Sequence, residues 1–188
     1  MTEITYKIKF FSDWHCGSGL GAGAETDAEV IKDSTGLSYV PGKTIKGLLK
    51  DACQEISDVQ NEKISQEIIT SIFGFGEENN SSIKGNAFFS NAKLPKVETG
   101  EIISNNLQQH LFRNIASTAI GENGIAQKNS LRVMEVSIPI TLEGSIEVEN
   151  DEQKEAILLA LKWVRHLGTN RNRGLGRCQF ITPKEENQ

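Results

Sequence analysis

Apolar and polar residues alternate near the N-terminus and predict a first strand. In ITYKIKFF (4–11), Ile4, Tyr6, Ile8 and Phe10 share one face, and lysines alternate with them on the other. This period of two is typical of a half-buried strand. The segment that follows, GSGLGAGAETD, is rich in glycine and acidic residues and predicts a loop.

Three later segments repeat their apolar residues at helical spacing. The first predicted helix covers 43–56, and its apolar stripe consists of Ile45, Leu48, Leu49, Cys53 and Ile56. A second helix is predicted over 63–72 and a third over 151–167. Stripes at this spacing are buried on one side in globular proteins, so these helices should pack against a sheet.

The remaining segments predict strands and one insertion. VIKDSTGLSYVPG predicts two short extended pieces about a turn at 33–36, with Asp33 as the capping side chain. Strands are predicted at 85–94, at 133–148 as one long strand or a bent pair, and at CQFIT near the end. Residues 95–132 are polar and weakly periodic, which predicts an insertion with a hairpin at Gly121–Gly124.

The order of these elements predicts an α+β fold in a single domain. Without the insertion, the order is close to βαββαβ, the ferredoxin-like arrangement also found in RNA-recognition domains. A chain of 188 residues can bury a proper core in one such domain. The composition, 37% hydrophobic and 24% charged, is ordinary for a soluble globular protein.

Composition and cysteine use also bear on location and metal content. No apolar run approaches the ~18 residues of a membrane span, and MTEITYKIKF lacks the apolar region of a signal peptide. We therefore expect a cytoplasmic protein with no membrane partner. The three cysteines and three histidines have no metal-ligand spacing, so we expect free thiols rather than a structural zinc.

Positive charge is concentrated in one glycine-rich segment, GTNRNRGLGR (168–177). The net charge of −5 and a pI near 5.3 argue against a protein that coats nucleic acid in general. From 165 to 177, however, there are four arginines and no acidic residue. A local basic surface on an acidic protein favours a defined phosphate ligand over counterion-driven binding.

The chemistry of this segment, which we call the arginine loop (168–177), suits an RNA backbone. Gly168 is predicted to end the preceding helix in a left-handed conformation. The later glycines would let the backbone approach a ligand closely, and the arginines supply forked donors for phosphate. The aromatic signature of RNA-recognition sheets is missing, which favours backbone binding over base stacking. The predicted RNA-binding residues here are Gly168, Arg171, Arg173, Gly174, Gly176 and Arg177.

A second candidate anion site lies in PGKTIKGLLK, at the start of the first predicted helix. Lys43, Lys46 and Lys50 form a stripe beside exposed backbone amides, and the helix dipole favours an anion there. A solvated helix face is the alternative interpretation. The segment is not a P-loop, because five residues rather than four separate its glycines and Pro41 removes an amide donor.

Together these segments resemble the RAMP superfamily of CRISPR proteins. The resemblance extends through HCGSGLG, TDAEVIKDSTGLSYVPGKTIKGLL, FGFGEENNSSIKGNAFFSNAKL, IGENGIAQKNSLRVMEV and GTNRNRGLGRCQF. It is greatest to the small backbone subunit of type III effector complexes, which lines up along the guide RNA. The implied partners are guide RNA, complementary target RNA, other RAMP subunits and the large subunit of such a complex.

The resemblance also implies a ferredoxin-like palm and a β-hairpin thumb. The palm would cover about 1–94 and 133–183, and the thumb would lie within 95–132, with its hairpin in 112–133. In such subunits the thumb wedges into the guide–target duplex, so Arg113 and Arg132 are candidate RNA contacts. Lys46 and the arginine loop match the residues that hold guide phosphates.

An aspartate in the loop before V-I-x-D-x-x-T-G cuts target RNA in the family, and Asp27 occupies that place. The resemblance implies a weakly bound Mg²⁺ or Mn²⁺. Glu25 and Glu29 flank Asp27, and in an extended segment all three carboxylates share one side. They could strengthen metal binding or mark a subunit whose cutting role has drifted. Two other functions stay open: a purely architectural RNA-binding subunit, and a guide-precursor endoribonuclease that uses His15 as general base.

Overall fold

Eight strands and four helices form the part of the chain that the computed structural model describes, residues 1–19, 26–59, 63–76 and 82–183. The strands are β1 (Thr2–Phe10), β2 (Gly74–Gly76), β3 (Ser82–Lys84), β4 (Phe88–Phe89), β5 (Phe112–Ser117), β6 (Arg132–Ser137), β7 (Thr141–Val148) and β8 (Cys178–Ile181). The helices are α1 (Gly42–Val59), α2 (Gln66–Phe73), α3 (Lys96–Ser104) and α4 (Asp151–Trp163), with 3₁₀ turns at Gln108–Leu111 and Arg171–Arg173.

The largest sheet is antiparallel, with strand order β4-β7-β1-β8. Its centre is β1, which pairs with β7 from Thr2 to Lys9 and with β8 from Lys7 to Phe10. Two further hairpins, β2–β3 and β5–β6, form sheets of their own. The protein therefore has a mixed α/β fold with antiparallel sheets, and the predicted first and last strands are confirmed.

One face of the large sheet forms the core together with α1, α2 and α4. Alternate side chains of β1, among them Ile4 and Ile8, are buried there as the period of two predicted. They belong to the same buried cluster as Leu49 of α1 and Leu161 of α4. None of the described helices is both long and apolar enough to cross a membrane.

The predicted strand pair at 133–148 is a bent pair whose halves join different sheets. β6 pairs with β5, whereas β7 pairs with β1 and β4. The two strands are separated at Ile138–Ile140, where Pro139 has no amide to donate to a ladder. The predicted strand at 85–94 is also shorter than expected. Only β4 forms a continuous ladder with β7 there, because Ala92 pairs with Val40, and Lys93 returns to β7 by an isolated bridge to Glu143.

The predicted helix at 151–167 ends at Trp163, and the predicted role of Gly168 in ending it is wrong. The chain is extended from Val164, and the Leu167 amide donates to the Gly176 carbonyl at 2.8 Å. Gly168 has a left-handed φ of +96°, but it lies beyond the helix in the arginine loop. Pairing with the segment before β8 therefore replaces the last predicted turn.

The insertion contains the predicted hairpin and an unpredicted helix. β5 and β6 pair from Phe112↔Ser137 to Ser117↔Arg132, and the hairpin turns at Gly121–Gly124. The helix α3 buries none of its residues. It therefore has no apolar stripe from which it could be predicted.

Candidate nucleic-acid interface

A groove runs between α1 and the segment that follows α4. Two adjoining cavities, of about 710 Å³ and 440 Å³, form it. They lie next to each other and share the lining residues Leu48, Asp51, Gly168, Thr169 and Arg171. The groove thus brings together two segments that lie more than a hundred residues apart in sequence.

Four of the predicted RNA-binding residues line this groove. Lys43 lines the smaller cavity, Arg173 lines the larger one, and Gly168 and Arg171 line both. Lys46 and Lys50 belong to the same helix as Lys43 but lie outside the lining. The lysine stripe therefore meets the arginine loop through its first member.

The arginine loop presents its charged side chains to solvent. A 3₁₀ turn over Arg171–Arg173 is closed by a hydrogen bond of 2.8 Å from the Arg173 amide to the Asn170 carbonyl. Asn170 and Gly174 flank this turn in left-handed conformations, with φ of 57° and 86°. Arg171, Arg173 and Arg177 are exposed, so their guanidinium groups can reach an anion.

Two glycines of this loop are required for packing within the protein. A Cβ atom at Gly176 would collide with the Leu167 carbonyl, and one at Gly168 would collide with the His15 carbonyl. Gly176 is also buried. Gly174 differs, because it is exposed and a Cβ there would meet open space. Of the three predicted glycines, Gly174 is thus the one with room for an external ligand.

The connecting segment, which we define as residues 11–18, holds the arginine loop and the β5–β6 hairpin together. On the loop side, the Gly176 amide donates to the Asp13 carbonyl at 2.7 Å and the Thr169 amide to the His15 carbonyl at 2.9 Å. On the hairpin side, Trp14 and Ser137 exchange two backbone hydrogen bonds of 3.0 and 2.9 Å. The loop and the hairpin are therefore fixed relative to each other.

Arg113, a predicted RNA contact, is paired with an acidic residue of the connecting segment. Its guanidinium forms an ion pair with Asp13, to which Nε and Nη2 both approach closely. The Asp13 side chain is 6% exposed and the Arg113 side chain 64%. Arg132, the other predicted hairpin contact, is exposed at the start of β6.

Asp27 lies beside β6, near the end of the β5–β6 ladder that leads into the hairpin loop. Its amide donates to the Val133 carbonyl at 2.8 Å, and its Oδ2 accepts from the Val133 amide at 2.7 Å. The residues that follow Asp27 run alongside β6. There the Glu135 side chain accepts hydrogen bonds from the Val30 amide at 3.0 Å and from Lys32 Nζ at 2.7 Å. Asp27 is exposed, so its carboxylate is oriented by β6 and open to solvent.

The other two carboxylates of the candidate metal site are less well placed. Glu25 lies outside the described residues. Glu29 is partly buried, and its carbonyl accepts from the Ser18 amide at 2.9 Å. Within the described ranges, no group of three histidine, cysteine, aspartate or glutamate residues could hold a metal ion.

His15 and the three cysteines are buried, whereas His166, which lines the larger cavity, is exposed. His15 is 3% exposed, and its Nδ1 lies 2.7 Å from the Glu135 carbonyl oxygen. The cysteines are free thiols, as predicted, and burial raises the pKa of each to about 12. These thiols are therefore protonated at neutral pH.

Residues of this region that were not predicted as site residues include Asp13, Asp51, Glu55 and Trp163. Asp13 is identified only by its ion pair with Arg113. Glu55 and Trp163 line the groove and are joined by a hydrogen bond of 2.8 Å from the indole Nε1 to Glu55 Oε2. The one sequence signal for Trp163 is its place immediately before the basic segment.

Comparison with known proteins places this arrangement in a family. A chain of a type III-B Cmr-beta complex bound to cognate target RNA superposes with a TM-score of 0.74 at 11% identity, covering 98% of both chains. A chain of the same complex in its apo state gives 0.71 at 14% identity, covering 97% of this chain and 98% of that one. These likenesses concern the fold alone.

No curated protein matches the sequence. The model of the RAMP superfamily, however, matches residues 7–179, which extend from β1 into β8. The chain belongs to the RAMP superfamily.

Proposed function

We propose that this protein is a guide-RNA-binding backbone subunit of a type III CRISPR interference complex. The observation that carries the proposal is the groove, whose lining includes Lys43 of α1 and Arg171 and Arg173 of the arginine loop. Family membership and the shared fold with type III-B chains, one of them in a complex bound to target RNA, support it. Its partners would be guide RNA, complementary target RNA, other RAMP subunits and the large subunit.

In this proposal the large sheet with α1 and α4 is a ferredoxin-like palm. Its strands follow one another in the chain as β1, β4, β7 and β8, and their order across the sheet, β4-β7-β1-β8, supports this topology. The β5–β6 hairpin would be the thumb. The connecting segment would then hold the thumb at a fixed position above the palm.

The groove would hold the guide mainly by its phosphates. Guanidinium groups bind phosphate through paired donors, and Lys43 adds a point charge on the opposite wall. Such contacts do not depend on base sequence, which suits a subunit that must accept any guide. The exposed guanidinium of Arg177 would extend this basic surface beyond the groove.

We further propose that Asp27 carries metal-dependent cleavage of the target RNA. Its segment borders the groove, because Ile31 donates to the Cys16 carbonyl at 2.8 Å and Cys16 lines the smaller cavity. A carboxylate oxygen is the ligand that Mg²⁺ or Mn²⁺ prefers, and Asp27, with Glu29 nearby in sequence, would hold such an ion together with an RNA phosphate and waters. The ion would supply charge stabilisation on the phosphoryl oxygens.

A purely architectural subunit is the second candidate function. The hydrogen bond from the Val133 amide to Asp27 Oδ2 favours it, because a structural aspartate would make the same contact. His15, by contrast, is buried against the Glu135 carbonyl. That position favours a structural histidine over the general base of a processing enzyme.

Asp27→Asn is the variant that separates catalysis from structure, because the amide oxygen can still accept the Val133 hydrogen bond. In a complex assembled with guide and labelled complementary RNA, we expect this change to reduce Mg²⁺-dependent cutting at least 100-fold. Target binding should change little, because the lost charge acts on the transition state. Glu29→Gln serves as the control and should mainly raise the metal concentration required.

Two outcomes would overturn the cleavage proposal. If the wild type cuts at regular intervals and Asp27→Asn cuts equally well, another residue is catalytic. If the wild-type complex binds target RNA but does not cut at any Mg²⁺ or Mn²⁺ concentration, the subunit is architectural.

A further inference from the structure

The groove contains an aromatic side chain that the proposed phosphate contacts do not use. Trp163, the last residue of α4, lines the larger cavity and is 39% exposed. Its indole N–H donates to Glu55 on α1. This bond joins two elements and fixes the plane of the ring, while part of the ring stays open to the groove.

Charges of both signs line this part of the groove. Arg165, Arg171 and Arg173 lie on the side of the arginine loop, and Asp51 and Glu55 lie on α1. The guanidinium groups attract phosphate, whereas the carboxylates repel it and accept hydrogen bonds from amino groups. A ligand that suits both sides therefore carries a phosphate and, apart from it, a group with hydrogen-bond donors.

We propose that this end of the groove holds one unpaired nucleobase of single-stranded RNA, stacked on Trp163. The flanking phosphates would lie on the arginine loop, and the amino group of adenine, cytosine or guanine would face Asp51 and Glu55. Stacking tolerates any base because every base has a π-face, so this contact is compatible with guides of varied sequence. The inference rests on the proposed guide binding and adds a base contact to it.

The volume of the cavity agrees with this ligand. About 710 Å³ lies within the range of roughly 300–1,000 Å³ that small-molecule sites occupy. The adjoining smaller cavity, which shares Arg171 with it, is lined by Lys43. An RNA strand with one base beside Trp163 can therefore keep its backbone on the basic side of the groove.

Tryptophan fluorescence of the full chain tests this directly. The chain has two tryptophans, and Trp14 is fully buried beside Phe10, with ring centroids 4.6 Å apart. Trp14 emission should therefore be insensitive to a ligand in the groove. Titration with a short oligocytidine should quench Trp163 emission along the binding curve given by the anisotropy of a labelled oligomer.

Three variants make the test specific. Trp163→Ala should weaken oligocytidine binding by roughly tenfold and leave the binding of an abasic oligomer of equal length unchanged. Trp163→Phe should keep the affinity within about threefold of wild type and lose the quenching. Glu55→Gln, whose amide oxygen can still accept the indole hydrogen bond, should retain the quenching, and circular dichroism verifies that each variant is folded.

The possible failures separate this inference from the proposed function. If oligocytidine binds but does not quench Trp163, and Trp163→Ala binds it equally tightly, the base site is wrong and guide binding stands. If the abasic oligomer loses as much affinity as oligocytidine in Trp163→Ala, the side chain supports the groove without stacking a base. If neither oligomer binds at low salt, both proposals fail.

Discussion

At the scale of single residues, the ion pair between Arg113 and Asp13 joins the hairpin to the connecting segment. The Asp13 carboxylate is buried, and the Asp13 backbone carbonyl accepts a hydrogen bond from Gly176. A buried carboxylate without a cation is costly, so Arg113 has a structural reason to be basic. The phosphate contact of Arg113 stays a prediction, and it can be tested separately from the ion pair with Asp13.

We expect Arg113→Gln to lower the free energy of unfolding by roughly 1–2 kcal/mol, measured by urea denaturation. The loss is smaller than for a fully buried pair because the guanidinium is mostly exposed. Adding Asp13→Asn should restore most of it, since no buried charge is then left unpaired. If Arg113 also contacts a phosphate, Arg113→Gln will in addition reduce the slope of log RNA-binding constant against log salt concentration by about 0.7.

At the scale of elements, the arginine loop depends on glycines that serve different purposes. Gly176 allows the Leu167 carbonyl to approach its Cα, and this contact closes the base of the loop. Gly174 has a similar left-handed φ but no neighbour in that direction. Gly174 and Gly176 can therefore be compared directly, because both have a left-handed φ but only Gly176 is tightly packed.

Gly176→Ala should therefore destabilise the protein by several kcal/mol, whereas Gly174→Ala should cost only about 1 kcal/mol of conformational strain. Urea denaturation of the two variants measures the difference. We also expect Gly176→Ala to weaken RNA binding, because the loop base that positions Arg171 and Arg173 would open. Equal stability losses in the two variants would mean that the Leu167 contact is not what holds the loop.

At the scale of the whole molecule, the groove exists because α1 and the arginine loop flank the same end of the core. α1 packs against α4, and the chain after α4 returns beside the connecting segment. Lys43 and the arginines of the loop therefore line one surface only in the folded protein. The same packing places Asp51, Glu55 and Trp163 within that surface.

Binding of single-stranded RNA weakens as salt rises, with a linear slope of log binding constant against log salt concentration. Lys43→Ala and Arg171→Ala should each reduce the size of this slope by about 0.7, because each removes one phosphate contact. The loss of affinity should be similar for unrelated guide sequences. Lys46→Ala tests the predicted phosphate contact of Lys46, which lies on the same helix but outside the lining of the groove. A slope change for Lys46→Ala as large as that for Lys43→Ala would place the phosphates along the lysine stripe instead.

Local patterns in the sequence were enough to predict the strands and helices that bury one face in the core. β1 and α1 follow from their apolar periods, and their buried residues are the predicted ones with few exceptions. The turn at 33–36 is likewise local, because Asp33 accepts hydrogen bonds from the Thr35 and Leu37 amides. These interactions join residues close in sequence, so residue types alone predict them. The motifs that resemble the RAMP superfamily were also present in the sequence, and the family is confirmed.

Only the tertiary structure decided how distant segments pair. It divided 133–148 between two sheets, ended α4 at Trp163 and brought Lys43 beside Arg171. It also paired Arg113 with Asp13. Each of these outcomes depends on which distant segment supplies a hydrogen bond, a charge or an apolar surface. A local pattern records that a strand or a cation is present, but it contains no information on its partner.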